Sequence, residues 1–280
     1  MRSIKQDSIF PADSRLHKFL AGALLFVALT VVSQVGGVIL LLCWHVCRYR
    51  LFPDEARRWL AFVSSAAVYC AVTLLCVPLL AAAFGRVPMP MFATTEAPVA
   101  PRSLLYCLLN RHYVRPQVKE LVIAAARQMA QKYPGSRIHY LDGGFPYGPK
   151  FPMLPHLSHA DGRKIDLAFC YNKGGKYTVS PSPIGYWIYE SPERGEPAPY
   201  KGKPSLFRWD MPLLQGVNRD RELDEARTRD LLRTLLRQPG TDKILLEIHL
   251  QQRLNVSHPR LRFQQRQAAR HDDHMHLQVN

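Results

Sequence analysis

The chain has 280 residues, room for one or two domains, and 37 Lys and Arg against 22 Asp and Glu, a formal net charge of +15. That surplus suits an anionic surface or polymer. The basic residues are scattered, without aromatic residues interleaved among them, which argues against a nucleic-acid-binding surface, and the six cysteines fit no zinc-ribbon spacing.

Residues 1–18 are short and polar, with Arg2, Lys5, Arg15 and Lys18. Residues 19–43 and 59–85 then carry no charge, and each run exceeds the roughly 20 residues that a helix needs to cross the hydrocarbon core. Two such runs in succession predict two transmembrane helices, with Trp44, Trp59 and Tyr69 near the interfaces and Pro78 as a tolerated kink. Residues 1–86 thus read as a membrane anchor with both termini on one side. Charge counting leaves the side open, because Arg48, Arg50, Arg57 and Arg58 in the connecting loop are matched by the N-terminal basic residues. Residues 87–101 (VPMPMFATTEAPVAP) read as an extended Pro-rich linker. Residues 102–280 are long enough to bury a core of their own. Their two cysteines, Cys107 and Cys170, can pair in an oxidising compartment.

Within that domain Pro116 opens a helix and Pro134-Gly135 closes it, with Val118, Leu121, Val122, Ala125 and Met129 as its apolar stripe. Residues 137–141 read as a strand and 142–158 as a Gly/Pro-rich loop. The next predicted strand, 164–171, has Ile165, Leu167 and Phe169 on one face and Asp166 and Ala168 on the other. Loops fill 172–218. A second helix covers 222–237. Residues 243–250 read as a strand, with His249 on the face of Leu245 and Glu247, and a last strand covers 273–279. This order predicts an α+β fold, a small antiparallel sheet with flanking helices, preceded by the two membrane helices.

The last strand places His274, His276 and Gln278 on one face and Met275, Leu277 and Val279 on the other. Neutral imidazole is the commonest side-chain metal ligand, but a catalytic zinc takes three protein ligands. The segment from Ser158 to Asp166 supplies more. Asp166 points away from its strand's apolar face and must be exposed or paired, because burying a lone carboxylate is costly. His159 enters through a turn that Gly162 can make. One His and one Asp from this segment, with one His from the last strand, make a three-ligand site with a position open, the catalytic form of zinc.

The strings Ser158-His159-x-x-Gly162-Arg163-x-x-Asp166 and His271-Asp272-Asp273-His274-x-His276 resemble the two signature motifs of penicillin-insensitive murein endopeptidases. These form a branch of the zinc peptidases that also groups lysostaphin-type enzymes, D-Ala-D-Ala carboxypeptidases and the signalling domain of Hedgehog. The resemblance covers much of residues 135–280 and rests on those two motifs. It implies one zinc ion per chain, held by His159, Asp166 and His276, with His274 as a non-ligating active-site histidine. In the carboxypeptidase relatives a Glu three residues before the last ligand is the base. Here that position is Asp273, which a regular strand would turn to the opposite face. His274 or Asp273 is therefore the candidate base, and Asp272 or Asp273 can instead orient a histidine from the outer shell. Arg163 is a candidate for binding a substrate carboxylate, or an ordinary surface arginine. His271 and His249 read as solvent-facing, and His156 receives no role. Residues 142–148 and 183–187 are candidate walls of a substrate groove.

The substrate so implied is a peptide cross-link of peptidoglycan, cleaved by a membrane-anchored zinc metallopeptidase on the periplasmic side of a bacterial inner membrane. That location resolves the charge tie, with Arg48–Arg58 inside and both termini outside. The alternatives are a D,D- or L,D-carboxypeptidase trimming peptidoglycan stems, and a non-catalytic zinc-stabilised peptidoglycan-binding module. No protein partner is implied.

Overall fold

The computed structural model describes residues 14–50, 54–149, 151–198, 211–216, 220–263 and 269–280. The polar start of the chain through residue 13 lies outside them, as do the side chains of Arg48, Arg50, Arg57 and Arg58 that entered the charge count. The chain divides into two compact units, Met1–Tyr69 and Cys70–Asn280.

In the first unit, α1 (Ser14–Ser33) and α2 (Gly36–Arg50) replace the predicted single span over 19–43. The helix breaks at Gln34, which takes a left-handed φ of 67°. Ser33 Oγ helps the break by donating to Leu29 O and accepting from Gly36 N–H. Gly37 then lets α2 close on α1, since a Cβ there would collide with Thr30 Oγ1 and Phe26 O. The apolar part of α1, Phe19–Ser33, is thereby shorter than a bilayer crossing needs. Two membrane-crossing helices are not found among the described residues. Among the described residues one helix, Val63–Ala83, is long and apolar enough to cross a membrane, with 21 residues and a mean hydropathy of 2.2.

That helix runs through α3 (Asp54–Ala71), a π-helical turn (Val72–Cys76) and α4 (Val77–Ala83). The π turn immediately precedes Pro78, which lacks an N–H and crowds the carbonyl four residues back. Its wider hydrogen bond, Val77 N–H to Val72 O, relieves that crowding.

In the second unit, residues 87–101 are not an extended linker. They contain β1 (Val87–Pro88) and β2 (Val99–Pro101), and Met89 and Val99 are buried in the core. The Pro-rich composition is compatible with strands because β1 lies in a two-stranded pair and β2 at a sheet edge, where a missing N–H costs little. The chain continues through α5 (Leu105–Leu108), β3 (Tyr113–Val114), α6 (Pro116–Lys132) and β4 (Ile138–Tyr140), then β5 (Lys164–Ala168), β6 (Tyr171–Lys173) and β7 (Lys176–Thr178). It ends with β8 (Glu222–Leu223), α7 (Glu225–Arg237), β9 (Thr241–Leu245), α8 (Ile248–Arg253), β10 (Leu261–Arg262) and β11 (His274–Val279).

The fold is mixed α/β with small sheets. The main sheet has six strands in the order β10-β9-β11-β5-β4-β2, beside a three-stranded β7-β6-β8 sheet and the β1-β3 pair. Its centre is antiparallel, as expected, but β10-β9 and β2-β4 are parallel. Parallel neighbours need a crossover. α6 lies in the crossover from β2 to β4, and α8 in the one from β9 to β10. The chain's last strand therefore sits inside the sheet between β9 and β5.

α6 starts on Pro116 and buries Val118, Leu121, Val122, Ala125, Ala126 and Met129. The predicted second helix begins at Glu225 and not at 222, because Asp224 caps it by accepting from Arg227 N–H, while Glu222–Leu223 pairs with β6. α6 packs on β2 and β11 and α7 packs on β9, so Met275, Leu277 and Val279 share one core with both helix stripes. The predicted strand 164–171 stops at Ala168, and β6 joins the other sheet. Cys107 and Cys170 are both free and buried. Cys107 Sγ lies 3.4 Å from Tyr140 OH.

Candidate metal centre

The site grows out of the register of two central strands. β11 pairs with β5 so that His276 stands opposite Asp166 and His274 opposite Ala168. Period-two alternation puts the ring of His276 and the carboxylate of Asp166 on the same face. His276 Nδ1 lies 2.8 Å from Asp166 Oδ1.

The third group comes from the 3₁₀ turn Leu157–Asp161, which Gly162 closes with a left-handed φ of 68° and an N–H donated to His159 O. His159 Nδ1–H donates to Gly143 O at 2.7 Å. That bond fixes the tautomer and leaves Nε2 bare on the inner side. Nε2 lies 3.2 Å from His276 Nδ1 and 3.4 Å from Asp166 Oδ1. The three residues expected as ligands thus converge, all buried.

His156 belongs to the same place, which the sequence reading did not foresee. His156, His159 and Asp166 form a group that can hold a metal ion, with one ligand atom of each within 4.8 Å of the others. A 3₁₀ turn has three residues per turn, so positions i and i+3 eclipse, and the rings of His156 and His159 stack at 5.3 Å. The three-residue spacing before a Gly-closed turn was the signal available for this. His276 is nonetheless the tighter partner. His156 Nδ1 is engaged with Asp142 Oδ2 at 2.8 Å and stands 3.6 Å from Asp166.

An outer layer surrounds these groups. Tyr186 OH donates to Asp166 Oδ2 at 2.6 Å. Arg111 grips Asp142 bidentately at 2.6 and 2.7 Å, and Asp142 in turn holds His156. Residues 142–148 and 183–187, expected to wall a groove, thus supply Gly143 O, Asp142 and Tyr186 to the cluster.

The electrostatics follow from burial opposed by partners. Burial disfavours ionised Asp166, but the imidazoles of His159 and His274 outweigh it and hold the carboxyl well below its ordinary value. Burial likewise opposes charging His159, and the Asp166 carboxylate overcomes it and raises that imidazole. His276 goes the other way: burial dominates and lowers it to about 4. In Asp142, Arg111 reverses the effect of burial and holds the carboxyl low.

His274 sits beside this group. Its Nδ1–H donates to Asp273 Oδ1 at 2.5 Å, and its Nε2 lies 3.7 Å from Asp166 Oδ1. Burial opposes its protonation, but Asp166 and Asp273 raise it to about 9. Asp273 precedes β11, so strand alternation does not turn it away. Its Oδ2 accepts from Trp187 N–H at 2.6 Å, and both carboxylate oxygens are engaged. Asp272 is committed elsewhere, to Arg270.

Two histidines expected in solvent are buried. His271 packs its ring 5.1 Å from His274 and 5.6 Å from His276. Burial, with those two neighbours, pushes it well below its ordinary value, so it is neutral. His249 lies on α8 and not on a strand, and it bonds through Nε2 to Glu190 O. β9 ends at Leu245, opposite His276, and Glu247 N–H turns to His271 O, so the alternating run beyond it has no β11 ladder to continue. Arg163 is exposed. Its carbonyl accepts from Val279 N–H, three residues past His276, roughly 10 Å along the strand.

No protein-family model and no curated protein matches the chain.

Proposed function

We propose that the chain is a zinc-dependent peptidase that hydrolyses peptide cross-links of peptidoglycan, held at a bacterial inner membrane with this site on the periplasmic side. One observation carries the reading. His159, Asp166 and His276, from a turn and two strands, bring two imidazole nitrogens and a carboxylate oxygen within 2.8–3.4 Å of one another in a buried pocket of charge. Bonds of about 2.0–2.1 Å in tetrahedral array separate ligand atoms by about 3.3 Å, so the donor set fits zinc. His156 stands at the edge of that set. Its bond to Asp142 matches the usual outer-shell support of a ligating histidine.

His159, Asp166 and His276 would hold the zinc, which would supply Lewis acidity toward the scissile carbonyl and an attacking water of lowered pKa. The chain supplies the rest. Asp166 contributes the one formal negative charge among His159, Asp166 and His276, and Tyr186 keeps its second oxygen oriented. Asp273 holds His274 through Nδ1, which aims Nε2 toward Asp166 and leaves it free to take or deliver a proton. His274 is the proton-handling group, and Asp273, with both oxygens occupied, is its orienter. The endopeptidase reading is favoured over the carboxypeptidase one because Arg163 stands away from the cluster and Arg111 is committed to Asp142. The Val63–Ala83 helix and the +15 charge suit work beside an anionic envelope polymer.

The test is digestion of purified sacculi by the full chain in detergent, with products identified by mass. Release of cross-link-cleaved muropeptides, abolished by a chelator and restored by zinc, is expected. Release of single terminal residues would select the carboxypeptidase. Zinc retained without any product would select the binding module. Protection of the C-terminal unit from protease in intact spheroplasts would overturn both location and substrate.

A further inference from the structure

The four carbonyls from His159 to Gly162 are each taken. His159 O accepts from Gly162 N–H, Asp161 O from Arg115 Nε and Gly162 O from Arg115 N–H. The fourth, Ala160 O, accepts from Arg86 Nη2 at 2.6 Å. Arg86 is buried, an unusual place for an arginine with no carboxylate bonded to it among the described residues. Its guanidinium occupies the space beside Gly162, where a Cβ would coincide with Nη1, and Nη1 also approaches Gly144. Gly162 is thus required twice, once for its left-handed φ and once to admit Arg86.

Arg86 also ends the apolar helix. Gly85 takes a φ of 65° and donates its N–H to Ala82 O, while Arg86 N–H reaches back to Ala81 O. These bonds form a Schellman-type stop, in which the residue after the left-handed glycine is fixed to the last turn. One residue is therefore pinned by its backbone to the helix end and by its side chain to the metal-facing turn. Burial, and then Arg115, disfavour the charged guanidinium and lower it to about 10. A buried cation on such terms is weak evidence of a stabilising role.

We propose that Arg86 is a positioning residue for the metal centre: it ties the end of the Val63–Ala83 helix to the Leu157–Asp161 turn and so holds His159 Nε2 against Asp166 and His276. The inference rests on the metal reading above. It adds that the end of α4 and the metal-facing turn are mechanically one piece, so that the helix end sets metal affinity.

The test uses the full chain in detergent, with zinc affinity read by competition against a chromophoric chelator and thermal unfolding read on the metal-free protein. Arg86→Met is expected to weaken zinc about 10–100-fold, as loss of outer support does elsewhere, without lowering the metal-free melting temperature. Arg86→Lys, which keeps a donor for Ala160 O, is expected to recover part of that affinity. Unchanged zinc affinity in Arg86→Met overturns the proposal, and so does a loss that only tracks reduced stability. If Arg86→Met does not fold, Arg86→Gln decides, because it withdraws the guanidinium from Ala160 O and leaves the left-handed Gly162 unstrained. Zinc affinity unchanged there overturns the proposal as well. A wild-type chain that binds no zinc overturns the metal reading itself and this inference with it, a result distinct from zinc that binds equally to every variant.

Discussion

His276 and Asp166 face each other across the β11–β5 ladder, with Nδ1 2.8 Å from Oδ1. Both sit on central strands, the most constrained part of a sheet, so the pair is placed by backbone register and not by loop packing. Tyr186 reaches the other oxygen of the same carboxylate.

The Tyr186 bond gives a graded test of that arrangement. Asp166→Asn removes the charge and keeps the shape, and it should reduce zinc in the purified chain from stoichiometric to trace by elemental analysis. Tyr186→Phe removes only the supporting hydroxyl. It should retain zinc but bind it about 10–100-fold more weakly in chelator competition. An unchanged affinity would show that the hydroxyl does not act on the ligand.

His274→Ala should keep the metal and lose turnover on sacculi by about 10²–10⁴-fold. Asp273→Asn should act in the same direction with a smaller loss, since it removes the orientation of the ring and not the ring. Loss of zinc from His274→Ala would make that residue a ligand.

His112 offers a pH test away from the metal centre. Burial is the main cause that lowers it to about 4 in the fold, against about 6.5 unfolded. Between those values the unfolded chain binds the extra proton, so stability rises with pH. The contribution is complete above about pH 6.5 and is lost as pH falls toward 4. Between pH 7 and pH 5 the wild type should lose on the order of 2 kcal/mol relative to His112→Gln in chemical denaturation. Equal losses in the two proteins would exclude a buried neutral His112.

Met89→Ala separates a packed segment from a linker. Met89 is 1% exposed and belongs to the core. The substitution should cost about 2–5 kcal/mol in the same measurement. A change within error would restore the extended-linker reading of residues 87–101.

Several features could be read from local pattern. The alternation His274-Met275-His276-Leu277 placed two rings on one face and the core residues on the other, and the structure keeps that division. The requirement that Asp166 be paired if buried was met by His276 and Tyr186. Pro116 and the stripe behind it marked α6. Other readings failed where a local pattern admits two outcomes. A short alternating run serves a strand or a helix equally, and residues 248–250 belong to α8. An uncharged run shows length but not continuity, and the chain turned at Gln34. Pro-rich composition fits an edge strand as well as a linker.

The sequence by itself determined which groups are available and how each stands on its own element, because side-chain direction follows the period of a strand or a turn. His159, Asp166, His274 and His276 were legible on those terms. Only the tertiary structure decided what meets them. His156, His271, Tyr186, Asp142 and Arg86 reach the site through strand register, through the closure of the Leu157–Asp161 turn and through loops laid over both. Those contacts join residues far apart in the chain, and their geometry is set by the packing of the whole unit, which no local period encodes.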